Sequence, residues 1–228
     1  MKTKTFILCT LCVTLFLCNS CEEPEPQYQN KYADNTKLWP AADPTGEKVG
    51  YINEKGEMVI PAQYRHANFF CNGLARVFTH DYETQFIDTK GNVVYTLPKD
   101  EACDTYFVNG FLKFYKPVPQ SMGVANKYGL YDIHFNQVIP DIFLQLGDMS
   151  KEGLVATNTG YYNKKGELAL TLNTEPFDMN TVTGTVYTYG DFCDGVAVIH
   201  FTRYNNGSYS SGVGAINTKG EWVVDTTA

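Results

Sequence analysis

The chain has 228 residues, 43% of them hydrophobic and 14% aromatic, with 16 Tyr, 14 Phe and 19 Gly. That aromatic content beside only 19% charged residues excludes a disordered chain. A net charge of −7 at pH 7 lacks the basic footprint that phosphate-rich partners need, so nucleic acid is not an expected partner.

The first segment reads as an export signal. Lys2 and Lys4 open it, and "FILCTLCVTLFL" (Phe6 to Leu17) is an uncharged apolar run. A membrane-spanning helix needs about 20 such residues; this shorter run fits a signal-peptide core. Ser20 then precedes Cys21, and Glu22 and Glu23 follow. This end resembles a bacterial lipoprotein signal, although Cys18 stands where that pattern usually has Leu. The resemblance implies a signal peptide over 1–20 and lipidation of Cys21, with the membrane engaged only through the N-terminal lipid. Several acyl chains on one residue hold a membrane where a single chain does so only marginally. The acidic pair resembles the export signal of surface lipoproteins in Bacteroides-like bacteria. The implied address is the outer membrane, facing the cell surface, with a periplasm-facing placement as the alternative. Processing leaves 16 basic against 25 acidic residues, a net charge of −9.

Residues 21–36 are predicted to form a flexible tether, polar, acidic and Pro-bearing after Cys21; the fifteen residues from Glu22 to Thr36 reach at most about 50 Å. Residues 37–228 then predict one all-β domain. Tyr, Phe, Val, Thr and Gly dominate, and no window carries a long, capped helical pattern.

The domain repeats itself. "GYINEKGEMVI" at Gly50 is echoed from Gln85, Gly129, Gly160 and Gly214, at spacings of 35, 44, 31 and 54 residues. Such periods belong to repeat architectures. Asn53, Asp88, Asn163 and Asn217 each open a turn by bonding to their own backbone, and Gly56, Gly91, Gly166 and Gly220 supply its left-handed position. In the third copy Phe135 replaces the glycine and Asn136 follows, which predicts a turn shifted by one. A short strand precedes each hairpin, led by Gly73, Gly110, Gly153 and Gly195, with "KLWPA" at Lys37 as a degenerate first version. The result is five three-stranded units near 37–61, 73–96, 110–140, 153–172 and 195–225. Cys71 and Cys193 hold equivalent places, two before the glycine, which predicts that both point into an apolar seam.

Gly50, Tyr51, Ile52, Asn53, Gly56, Ile60, Pro61, Tyr64, Phe70, Gly73, Leu74 and Ala75 together resemble the WG/KWG β-repeat family of bacterial proteins. The family's Trp is replaced by Val49, Thr84, Tyr128, Thr159 and Val213 in the five copies. The resemblance implies a β-repeat fold and extracytoplasmic display, and it implies no reaction. A lone meander leaves faces and edges uncovered, so the units are expected to pack into a propeller-like ring, with an open curved β-solenoid as the alternative.

No HExxH, phosphate-cradling glycine loop or GxSxG is present. "SGVGAIN" (Ser211 to Asn217) has Gly-x-Gly inside a hairpin, where a dinucleotide loop does not belong. His66, His80, His134 and His200 show no metal-ligand spacing, and His134 is expected in solvent. Catalysis, a metal and a cofactor are therefore not expected. Cys71, Cys103 and Cys193 leave two readings open, one disulfide or small buried thiols. Trp39 and Trp222 lie in predicted strands and are expected in the core. The Tyr-rich stretches "VYTYGDF" and "TRYNNGSYSSG" carry Tyr187, Tyr189, Tyr204 and Tyr209, the candidate ligand-binding residues. The second is expected as a long mobile connection, as is Lys116 to Gly129. Loops on one rim, with Tyr among Asn, Gly and Ser, suit contact with a protein or a glycan. The alternatives are a structural envelope component and a small hydrolase with a carboxylate pair.

Overall fold

The computed structural model describes residues 30–120, 123–172, 178, 183–205 and 208–224. Residues 1–20, expected as a signal peptide, and Cys21, the expected lipidation site, lie outside that set. The described chain forms five antiparallel meander sheets in chain order. The first holds β1 (Trp39–Ala42), β2 (Val49–Ile52) and β3 (Met58–Tyr64). The second holds β4 (His66–Ala67), β5 (Leu74–Phe78), β6 (Thr84–Asp88) and β7 (Val93–Thr96). The third holds β8 (Ala102–Cys103), β9 (Phe111–Gln120), β10 (Gly123–Asp132) and β11 (Gln137–Phe143). The fourth holds β12 (Leu154–Ala156), β13 (Tyr161–Asn163) and β14 (Leu168–Leu170). The fifth holds β15 (Gly184–Cys193), β16 (Val196–Asn205), β17 (Ser208–Asn217) and β18 (Trp222–Val224). All-β, five-unit architecture is what the repeats predict. The second, third and fifth sheets add a fourth strand to the expected three. Two of these, β4 and β8, are two residues long, too short to show an alternating pattern.

The hairpin chemistry is that of the motif. Asn53 Oδ1 accepts from the N–H groups of Lys55 (2.9 Å) and Glu57 (3.0 Å), and Gly56 takes φ +79°. The third copy corrects the expected shift. Phe135 itself takes the left-handed position, φ +63°, and its N–H donates to the Asp132 carbonyl at 2.9 Å. The physical reason is its ring, which stacks on Tyr95 and meets Phe86 and Phe107 in the core between the second and third sheets. Left-handed backbone costs roughly 1–2 kcal/mol in an L-residue, and burying a Phe side chain contributes about 1.5–3 kcal/mol.

The motif glycine beside the aromatic has a different cause. A Cβ at Gly129 would lie 2.6 Å from the Ile139 carbonyl oxygen, and one at Gly214 2.7 Å from that of Val224. At Gly50 it would collide with the Ile60 carbonyl. The outer strand shifts register beside these positions and its backbone crosses the glycine.

Four cores join consecutive sheets. Tyr51 and Ile60 of the first sheet meet Ala75, Val77 and Ile87 of the second. Phe86 and Leu97 meet Leu112, Phe114 and Phe135 of the third. Leu130 and Ile139 meet Met149 and Val155 on the way into the fourth. Tyr161 meets Tyr189, Ile199 and Ile216 of the fifth. Among the described residues no core cluster joins the fifth sheet to the first. Trp39 and Trp222 are corrected from core to more than a third exposed, because each lies on an edge strand of a terminal sheet. His134 is corrected from solvent to half-buried, its ring 6.3 Å from that of Tyr32. Residues 30–36 lie on the second sheet: Asn30 Nδ2 donates to the Asn72 carbonyl (2.7 Å), and Thr89 Oγ1 donates to Asp34 Oδ2 (2.6 Å). Cys71, Cys103 and Cys193 are free thiols, and Cys193 is exposed rather than seated in an apolar seam.

Candidate functional site

Two hairpins run well beyond the cores. β9 and β10 pair from Phe111↔Asp132 out to Gln120↔Gly123. β16 and β17 pair from Val196↔Asn217 out to Asn205↔Ser208, and β15 flanks them from Gly184. The stretches expected as long loops, Lys116 to Gly129 and Thr202 to Gly212, are therefore mostly strand. Their Pro, Asn, Gly and Ser read as turn residues, but a two-sided exposed ribbon pairs through its backbone without an apolar face to announce it.

The structure separates the four candidate tyrosines. Tyr189 is buried; its hydroxyl accepts from the Leu172 N–H at 2.9 Å, and its ring meets Tyr161 edge-on at 5.3 Å. Tyr187 is half-buried and packs against the same core. Both are corrected from surface to packing roles, because the alternation of β15 turns them toward the fourth sheet. Tyr204 and Tyr209 sit opposite each other at the tip, centroids 6.2 Å apart and planes tilted by 40°. Tyr209 is 74% exposed. With Gly184, Thr185, Arg203, Asn205, Ser208 and Ser210 they line an open cleft of about 480 Å³. The Arg203 guanidinium stands 5.0 Å from the centroid of the Phe201 ring. Aromatic faces beside hydroxyl, amide and guanidinium groups can stack on a sugar or peptide plane while hydrogen-bonding its polar edge.

A second cleft, about 210 Å³, lies where the third, fourth and fifth sheets meet and is lined by Asp148, Glu152, Asp191 and Asp194 with Asn109, Met149 and Cys193. Burial raises the Asp191 carboxyl above its ordinary value, and Asp148 beside it adds to the rise. Lys113 Nζ pairs with Asp148 at 2.8 Å. Asp191 Oδ2 accepts from the Asp148 N–H at 3.3 Å. Glu152 Oε1 accepts from the Gly195 N–H at 2.7 Å, and Asn109 Nδ2 donates to the Met149 carbonyl at 2.7 Å. These carboxylates and amides tie one unit's turn to the next. The turns at Asn72-Gly73, Asn109-Gly110 and Asp194-Gly195 have positive φ at both residues, the two-residue hairpin for which Asn-Gly and Asp-Gly are the signal. That signal stands in "CNGL", "VNGF" and "CDGV". Among the described residues no group of three or more His, Cys, Asp or Glu has the geometry to hold a metal ion.

Five stacked meanders, each closed by an Asx-type turn, define a β-repeat protein. Residues 50–81 match the family model of the WG containing repeat, so this segment is a WG repeat. No curated protein matches the sequence. Among solved structures, one described as a crystal structure of the eukaryotic initiation factor is similar at 12% identity with a TM-score of 0.46, over 86% of this chain and 53% of that one. The chain thus spans about half the length of that structure.

Proposed function

We propose that the protein is a lipid-anchored, surface-displayed binding module that recognises a protein or a glycan without chemistry of its own. The observation that carries the reading is the Tyr204–Tyr209 pair lining an open cleft at the tip of an extended hairpin. A purely structural envelope component has no need of an exposed aromatic cleft held clear of the core. The hydrolase reading has a carboxylate-lined cleft to draw on, but there Lys113 and backbone N–H groups already engage the carboxylates as a staple between units.

A glycan array and co-purification with the chain from Gln27 onward test the reading. Binding is expected, and Tyr209→Ala should weaken it about tenfold, the equivalent of about 1.4 kcal/mol. Silence in both screens, or a Tyr209→Ala protein that binds as well as the parent, overturns it. The anchor rests on Cys21: Cys21→Ser should move the protein to the soluble fraction, and retention in the membrane fraction refutes lipidation there.

A further inference from the structure

We propose that the two ends of the sheet stack are complementary docking faces, and that the first sheet of one copy seats on the fifth sheet of another, head to tail. The internal junctions define the pattern. Tyr51, Phe86, Leu130 and Tyr161 follow the motif position in successive units, and each is 1% exposed or less against the next sheet. In the fifth sheet the equivalent residue is Ala215, half-buried. It pairs with Val198 on one side and Val224 on the other, and these two are 49% and 51% exposed. This row is an apolar face of small side chains, and among the described residues no core cluster lies on it.

The first sheet carries the opposite face. Ile52 pairs with Trp39 and with Met58, giving one apolar row across β1, β2 and β3. Ile87 and Ile216, the equivalents of Ile52, are fully buried against the preceding sheet. Trp39 and Met58 instead stand 37% and 45% exposed. The turns repeat the pattern. The turn glycine lies against Ile60 at Gly91, against Val138 at Gly166 and against Leu170 at Gly220, each time in the preceding sheet. Gly56, in the first sheet, has no described residue within 4 Å of a built Cβ. One end thus presents bulky Trp and Met and an uncovered turn; the other presents a flat Val–Ala–Val row where that turn would seat. At the internal junctions each of these faces is covered by the opposite face of a neighbouring unit, so the opposite end of a second copy is the occupant that fits. Unlike faces make a heterologous contact, which builds rings or chains and does not stop at a twofold dimer unless two copies close on each other.

Sedimentation velocity of the full chain carrying Cys21→Ser, from about 1 µM to about 1 mM, covers weak and moderate affinities. The average mass should rise with concentration. Val198→Glu disables one end and Met58→Glu the other; both positions are exposed, and melting curves check that each variant folds. Each variant alone should stay monomeric, and an equimolar mixture should form a dimer that grows no further. A parent that remains monomeric throughout overturns the proposal. So does a Val198→Glu protein that still self-associates, or a mixture that stays monomeric.

Discussion

Phe135 lies nearly parallel on Tyr95, with ring centroids 4.3 Å apart and planes 11° from parallel. One residue belongs to a hairpin turn of the third sheet and the other to an outer strand of the second. A turn residue in strained backbone is thus part of the preceding unit's core. Phe135→Gly relieves the left-handed strain, worth roughly 1–2 kcal/mol, but empties a site whose truncation costs about 3–5 kcal/mol. The net expectation is a loss of about 2 kcal/mol, or roughly 4–8 °C in Tm for a chain of this size. Thermal unfolding followed by circular dichroism reads it, and an unchanged or higher Tm would show that the ring contributes nothing.

Gly50→Ala and Gly46→Ala separate close approach from backbone conformation. At Gly50 the new methyl would meet the Ile60 and Pro61 backbone, which a side-chain rotation cannot clear. Overpacking of that kind costs about 1–3 kcal/mol. Gly46 has open space around it but φ +76°, so only conformational strain of about 1 kcal/mol applies. Urea titrations should place the Gly50→Ala midpoint below that of Gly46→Ala; the reverse order would contradict the crossing of the outer strand over Gly50.

Asp34 gives the docked N-terminal segment a pH dependence. The Thr89 hydroxyl, then the Thr36 side chain and backbone, lower its carboxyl to about 2 from an ordinary value of 3.8. A carboxyl depressed in the folded state contributes stability above its unfolded value and loses it as pH falls through the folded one. Protection of residues 30–36 from proteolysis should therefore hold above about pH 4 and fade toward pH 2. Thr89→Val should move this loss to higher pH. A titration of Asp34 by NMR that is identical in the parent and in Thr89→Val would disprove the link.

Much of the fold was legible because its turns are written in side chains. Asn53 and Gly56 bond and bend as their types require, and an Asn or Asp with its turn glycine recurs in every unit but the third. The third turn is not legible locally: propensity favours Asn136 for the left-handed position, and only the core that the Phe135 ring enters reverses that preference. The tips of β9, β10, β16 and β17 leave no strand signal in the sequence, because exposed ribbons have no apolar face to mark them. Tyr187 and Tyr189 resemble Tyr204 and Tyr209 in composition and context. Burial distinguishes them, and burial depends on the fourth sheet, which no local pattern contains.

The bonds between turns have one further consequence. Asn30 to Asn72, Asn109 to Met149 and Gly195 to Glu152 span 42, 40 and 43 residues. Each reaches its neighbour in the series and stops there. A molecule wired in this way has local grammar and no fixed sentence length: a unit can be copied or dropped in evolution, and only the two units flanking the change must accommodate it.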